Sequence, residues 1–364
     1  MKPFGTLLDR FLGRGEWAVT VPTLDGPLLP NQQLEEAETV ATFPDVDNIL
    51  STPKGILASS GGRLLKLKED GTVDQLAAYA QPISALATAR GMTAVALDKE
   101  GIVIRGGAHD GATIAASGAA RLDCVTAMTF LNSDTLLATN GSSDVGASDW
   151  RRDLMQKGSS GSVWKIDLAR GKADVITSGL AWPAGVATTG SNRIFVSESW
   201  RHRVLSIDLS TGHSESALEH LPAYPARIAP GIDAGYWLTF YSVRNQLVEF
   251  ILREDAFRRR MIAEVPEPFW IAPALASGTS FKEPMQGSQL KQMGVLKPYA
   301  VTRSYGLVVN CDSRMRPLAS FHSRADGKAH GTVSACEHGD DLMVASRGAG
   351  RILKLAGAAS GLRG

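Results

Sequence analysis

"LAWPAGVATTGSNRIFVSESWRHRVLSIDLSTG", residues 180–212, reads as a turn followed by short strands. Apolar residues alternate in "RIFVSES" and "RVLSIDL", the period of a half-buried strand, and Gly, Ser, Asn and Thr mark the breaks. The unit recurs in "DVDNILSTPKGILAS" (45–59), "AQPISALATARGMTAVA" (80–96), "LDCVTAMTFLNSDTLLAT" (122–139), "YPARIAPGIDAGYWLTF" (224–240) and "HGTVSACEHGDDLMVAS" (330–346). Each copy has a small or polar pair, an apolar strand, a Gly/Asn/Asp turn and a second β-rich strand. The inner strands open at Asp47, Ile83, Val125, Ala184, Ala226 and Val333, mostly at the roughly 40-residue spacing of a four-stranded propeller blade. Six copies predict an all-β, six-bladed β-propeller over residues 37–358.

Two spacings exceed a blade. The excess falls in residues 140–161, read as a polar loop within the third blade, and in residues 252–298, read as a partly helical insertion. Long insertions on a rigid scaffold are where binding surfaces are built, so both are candidates for a pocket cover. "AETVATF" (37–43) is expected to supply the outer strand of the last blade, which removes a free sheet edge.

Composition narrows the function. The 364 residues are 44% hydrophobic, and 38 basic against 37 acidic residues leave a net charge of +1. Nothing in that balance suggests nucleic acid, and no apolar run reaches the ~18 residues of a membrane span. The opening "MKPFGTLLDRFLGRGEW" interrupts its apolar part with Asp9 and Arg10, so it lacks a signal-peptide core. Phe4, Leu7, Leu8, Phe11 and Leu12 fit one face of a short helix, within a helical or extended N-terminal segment over residues 1–36. Cys124, Cys311 and Cys336 are far apart and read as buried thiols. A cytoplasmic protein is expected.

"LAWPAGVA…IFVSESWRHRVLSIDL" followed by "LPAYPARIAPGIDAGYWLTFYSVRNQLVEF" resembles the strictosidine synthase-like family, which is related to the gluconolactonase/SMP-30-like and paraoxonase-like propellers. In the metal-dependent members, the resemblance implies, carboxylates and asparagines at the blade starts converge on an axial calcium, a cation that takes several oxygen ligands. Asp47 stands at the first acidic position, Asn48 beside it, and Asn140 matches a further asparagine. Where Pro-Asn-Gly is expected the chain has Pro183-Ala184-Gly185, and where Asp-Asn-Ile is expected it has Ala226-Arg227-Ile228. Two ligand positions are replaced, one by a guanidinium that would repel a divalent ion. No cofactor is therefore expected; the weaker alternative is a metal on Asp47, Asn48 and Asn140 with water. The paraoxonase-like histidine is missing near Pro82-Ile83-Ser84. Val333 stands where strictosidine synthase has its glutamate, and Glu337 is about 13 Å further along the strand.

Asp47 and His330 are the candidate acid/base groups. A buried Asp47 could move a proton or pair structurally with Arg227, and His330, preceding the last inner strand, should lie near the tunnel mouth. Arg227 could clamp a substrate anion or replace the charge of the calcium. Asn48, Ser84, Thr126 and Asn140 would line the tunnel, with Trp182, Tyr299, Tyr241 and Trp270 as apolar walls. Glu198 is expected to pair with His202 or Arg203. His109, His213, His220, His322 and His338 fall in loop-like text and receive no role. The expected activity is strictosidine synthase-like acid/base chemistry without a metal, of amine–carbonyl condensation or lyase type, on a small and possibly anionic molecule. The alternatives are a lactonase- or esterase-like hydrolase with a weakened metal site, and a non-catalytic ligand-binding or scaffold propeller.

Overall fold

The computed structural model describes residues 21–118, 120–278, 280–284, 291–292, 295–296 and 302–360. The helix expected over residues 4–12 lies outside them, as does Tyr299. The fold is all-β, built of four-stranded antiparallel sheets in a propeller-like arrangement. The first four sheets are successive in the chain. They run Val46–Thr52, Gly55–Ser60, Arg63–Leu67, Val73–Ala78; then Ile83–Ala89, Met92–Leu97, Gly101–Arg105, Thr113–Ile114. The third is Val125–Asn132, Thr135–Asn140, Gly161–Asp167, Lys172–Leu180, and the fourth Pro183–Thr188, Arg193–Glu198, Arg203–Asp208, Ser214–Leu218.

Apart from two short two-stranded ribbons, Ala116–Ser117 with Ala120–Arg121 and Lys291–Gln292 with Val295–Leu296, the other described strands form one eight-stranded sheet made of two four-stranded halves joined at a single residue pair, Phe240 with Thr332. One half is Ala223–Pro230, Tyr236–Val243, Leu307–Cys311 and Pro317–His322. The other is Thr332–His338, Asp341–Ser346 and Arg351–Leu355, completed by Glu38–Thr42 from the other end of the chain, with Glu38 opposite Lys354. The first strand of each sheet packs beside the first strands of the sheets before and after it, and Thr332–His338 packs beside Val46–Thr52.

Alternation along the strands explains where the core sits. Each sheet buries both faces, so the apolar residues collect between neighbouring sheets. Ile102, Ile104 and Ala94 of the second sheet meet Leu136, Trp164 and Ile166 of the third. Val186, Val196 and Leu205 of the fourth meet Leu137 and Val163 of the third. Ile49 and Ile56 of the first meet Met343 and Ile352 of the last half-sheet. Burial of this kind contributes on the order of 1.5–3 kcal/mol per large side chain.

Three readings of the sequence need correction, one of them that of His338, which ends the strand Thr332–His338 rather than lying in a loop. Residues 140–161 are not simply a loop: Trp150–Gln156 is a helix, because Trp150 and Leu154, four apart, bury one face while Arg151 and Arg152 stay on the other. The C-cap, Lys157, adopts a left-handed conformation (φ 60°) and bonds back to Asp153 and Leu154. His322 is not in a loop either. It ends the strand Pro317–His322 and is fully buried. The second insertion is partly helical, with a helix over Asp255–Glu264.

Candidate functional site

The first strands converge on a charged cluster. Asp47, 7% exposed, opens one of them, and its carboxylate is held by two arginines. Arg227 Nη2 donates to Asp47 Oδ2 at 2.8 Å, and Arg347 Nη1 donates to Oδ1 at 3.1 Å. Asn48 Nδ2 adds a bond to Oδ2 at 3.0 Å. Burial by itself would raise the Asp47 carboxyl, but the charges and hydrogen bonds of Arg227 and Arg347 outweigh it and hold the group below the ordinary carboxylate value. Asp47 is therefore an anion at neutral pH.

Arg227 does more than pair. Its Nη1 donates to the carbonyls of Asp47 and Val333, each at 3.1 Å, and Nη2 donates to the carbonyl of Ser84 at 2.7 Å. One guanidinium from the fifth unit thus ties together first strands of the first, second and last. Its Nε is buried and has no hydrogen-bond acceptor among the described residues. Arg347 projects from the turn after Asp341–Ser346, and its side chain is 27% exposed. In the sequence it is one basic residue in the turn "ASRGAG" after an inner hairpin, and nothing local ties it to Asp47.

The opening "WPAG" of the fourth unit now has a reason. Gly185 faces the strand that carries Arg227, and a Cβ there would lie 2.6 Å from Ala226 O and 2.9 Å from Arg227 Cα. Only a glycine lets the two strands approach so closely. Trp182 turns the chain with a φ of 57°, unusual for a bulky residue, and its carbonyl accepts from Ser199 N.

Residues of the two insertions pack with aromatic side chains near this end. Trp150, Leu154 and Met155 of the first insertion, and Met261, Trp270 and Ala272 of the second, pack with Trp182, Ala184, Tyr224, Ala226, Tyr241 and Val333. Trp150 stacks on Tyr241 with centroids 5.3 Å apart, Trp182 stacks on Trp200 at the same distance, and Trp182 Nε1 donates to Tyr241 Oη at 3.3 Å. Together they make a buried aromatic pocket over the charged cluster. Trp200 Nε1 also donates to Asp153 Oδ1 at 2.8 Å, fastening the Trp150–Gln156 helix to the fourth sheet.

The other expected site residues are placed unevenly. Asn48 and Ser84 belong to the cluster, and Ser334 Oγ accepts from Ile49 N beside it. Thr126 donates to the Pro183 carbonyl, bridging the third and fourth units. Asn140 is spent on backbone groups, accepting from Cys124 N just before the first strand of its sheet and donating to Ser142 O. His330 commits both ring nitrogens away from Asp47, Nδ1 to Ser304 Oγ at 2.8 Å and Nε2 to Arg324 O at 2.7 Å. Glu198 is buried between Arg201 and Arg203, while His202 lies 3.8 Å from Glu249.

A gluconolactonase from Xanthomonas campestris is 12% identical, covers 87% of this chain and 88% of its own, and gives a TM-score of 0.55. Regucalcin from Agrobacterium tumefaciens, a calcium-binding protein, is 12% identical over 88% and 92%, with a TM-score of 0.54. A luciferin-regenerating enzyme is 12% identical over 89% and 94%, with a TM-score of 0.53. The fold is that of the gluconolactonase and regucalcin propellers. The sequence matches no protein-family model and no curated protein.

A calcium ion, the ligand the sequence resemblance suggested for this position, does not fit the residues present. The Arg227 guanidinium already holds the Asp47 carboxylate and three carbonyl oxygens, the hard donors such a cation would need. Ala184, fully buried beside them, offers no ligand. Among the described residues no group of three or more His, Cys, Asp or Glu could hold a metal ion. No helix among them is long and apolar enough to cross a membrane.

Proposed function

We propose that the protein is a closed six-bladed propeller that hydrolyses a small lactone or ester at its axis, with Asp47 as general base and Arg347 as the cation facing the substrate carbonyl. The observation that carries this reading is the buried Asp47 carboxylate held ionised between Arg227 and Arg347 under an aromatic cover. A water beside Asp47 would attack the carbonyl carbon as its proton passes to the carboxylate. The developing oxyanion is stabilised by Arg347, whose remaining guanidinium nitrogens make no bond to another described residue. Collapse breaks the C–O bond, and the leaving oxygen takes the proton from Asp47. So weak a base suits a carbonyl that is already activated, such as a strained lactone or an aryl ester. The buried, unpaired Arg227 Nε is a further donor for an oxygen bound at the axis.

Amine–carbonyl condensation of the strictosidine synthase type is less well supported. Val333 offers no carboxylate at the position where that chemistry places its glutamate, and the Glu337 carboxylate further along the strand accepts from Trp237 Nε1 and Ile232 N instead. A second reading has its own observation: both Nη groups of Arg227 are saturated by the protein, as they would be in a purely structural strut. A reducing compartment such as the cytoplasm accords with three buried cysteines that are free thiols. The experiment is a panel of γ- and δ-lactones and aryl acetates assayed with wild type and Asp47→Asn. Turnover abolished in a folded Asp47→Asn supports the hydrolase, and no turnover by wild type on any member supports the strut.

A further inference from the structure

A second cleft, of about 850 Å3, lies away from the axis between the N-terminal segment and the fifth unit. Its walls combine Pro22, Pro30, Pro222 and Val243 with Arg244, Arg324, Thr302 and Tyr305. Among the described residues two guanidiniums line it and no carboxylate does. Arg244 gives Nε and Nη2 to Glu249 at 3.1 Å each. Arg324 gives Nε and Nη2 to Asp326 at 2.9 Å, and its Nη1 makes no hydrogen bond to another described residue. The Arg324–Asp326 pair is 42% and 25% exposed, so it holds the arginine weakly.

Tyr305 is what gives the cleft chemical direction. Behind it a hydrogen-bond chain has one consistent set of proton positions. Ser320 Oγ donates to Pro27 O at 2.7 Å, so at the 2.9 Å contact with His322 Nε2 it must accept. His322 then carries its proton on Nε2, and Nδ1 is the acceptor that receives the Tyr305 hydroxyl at 3.2 Å. Burial, which lowers His322 to about 4, keeps the ring neutral at pH 7 and preserves that polarity. The Tyr305 proton is therefore taken, and only its oxygen lone pairs remain for a ligand. A ligand meeting Tyr305 must bring its own hydrogen. His330, bonded to Ser304 and with its ring 6.2 Å from that of Tyr305, backs the same wall.

We propose that this cleft binds a small organic anion that carries a hydroxyl group and an apolar portion, the anion facing Arg324, the hydroxyl donating to Tyr305 Oη, and the apolar part against the prolines. The site is separate from the axial cluster and does not depend on the hydrolase reading.

Calorimetric titration with three probes tests it: mandelate, phenylacetate, which lacks the hydroxyl, and mandelamide, which lacks the charge. Wild type is expected to bind mandelate about tenfold more tightly than phenylacetate, the size of effect expected when a buried acceptor is left unpaired. Mandelamide should be weaker still. Tyr305→Phe should bring mandelate and phenylacetate to equal affinity, and Arg324→Gln should weaken both acids while leaving their ratio unchanged. Because Tyr305→Phe leaves His322 Nδ1 without its donor, the comparison is the ratio between probes, which a general loss of stability does not alter. Absence of mandelate binding, equal affinity for the two acids in wild type, or an unchanged affinity in Arg324→Gln would each overturn the proposal.

Discussion

Arg227 and Asp47, 180 positions apart in sequence, meet at 2.8 Å where first strands of several sheets come together. The guanidinium supplies positive charge to the carboxylate and donors to three carbonyls of neighbouring first strands. It is an internal cation joined covalently to the fold.

Removing that cation should be costly. Arg227→Ala leaves the Asp47 carboxylate with one arginine and three carbonyls without their donor, so unfolding free energy should drop by about 3–5 kcal/mol. Arg227→Lys restores the charge but cannot span the same acceptors, so it should recover only part of the loss. Denaturant melts of the three proteins check this. Added calcium should leave the wild-type melting temperature unchanged, because a cation that binds only the folded state would raise it.

Arg347 should behave differently. Its side chain is 27% exposed and bonds Asp47 through one nitrogen, so Arg347→Gln should lower stability by no more than about 1 kcal/mol. Turnover should fall by roughly two to three orders of magnitude, as when one oxyanion donor is removed. Similar losses in stability for Arg347→Gln and Arg227→Ala would show that the two arginines share a structural task.

The strand approach at Gly185 can be tested without touching a charge. Gly185→Val places side-chain atoms against the backbone of Ala226 and Arg227, and should cost about 1–3 kcal/mol or more by overpacking. Melts of this variant should also show that the Asp47–Arg227 contact fails with it, seen as a shallower loss of stability as pH falls below the ordinary carboxylate value.

That pH window follows from the sign of the Asp47 shift. Its folded value lies below the ordinary one of about 3.9, so the stability it contributes is present above that pH and lost as pH falls through the folded value. Three histidines act earlier. Burial lowers His202 to about 3, His322 to about 4, and His330 in the same direction. The unfolded chain protonates each near pH 6.5 while the folded protein does not. Stability should therefore decline below pH 6.5, by up to about 1.4 kcal/mol per pH unit for each histidine. His322→Gln should make that decline shallower in a series of melts between pH 7 and pH 4.5.

The strand starts at Asp47, Ile83, Val125, Ala184, Ala226 and Val333 were legible because alternation and Gly/Asn/Asp turns are local signals, and each falls in the first strand of a sheet. The Asp47–Arg227 contact was legible as a possibility, since both residues open inner strands. Arg347 was not, because its approach to Asp47 depends on the fold of a turn 300 positions away. His330 misled: its place before an inner strand is as read, but its ring turns to Ser304 and the Arg324 carbonyl, and no local pattern records side-chain direction. His322 was passed over because "SFHSRADG" ends in turn residues, which hid a strand terminus whose partner, Tyr305, lies across the sheet.

The most direct test of the central claim is kcat/KM for lactone or aryl-ester hydrolysis as a function of pH, measured in the presence of a chelator. A base held ionised by two arginines predicts activity that persists in chelator and stays level from neutral pH downward as far as melts show the protein to remain folded. Activity lost to the chelator, or an acid limb near pH 6.5 that marks a histidine as the base, would contradict the account.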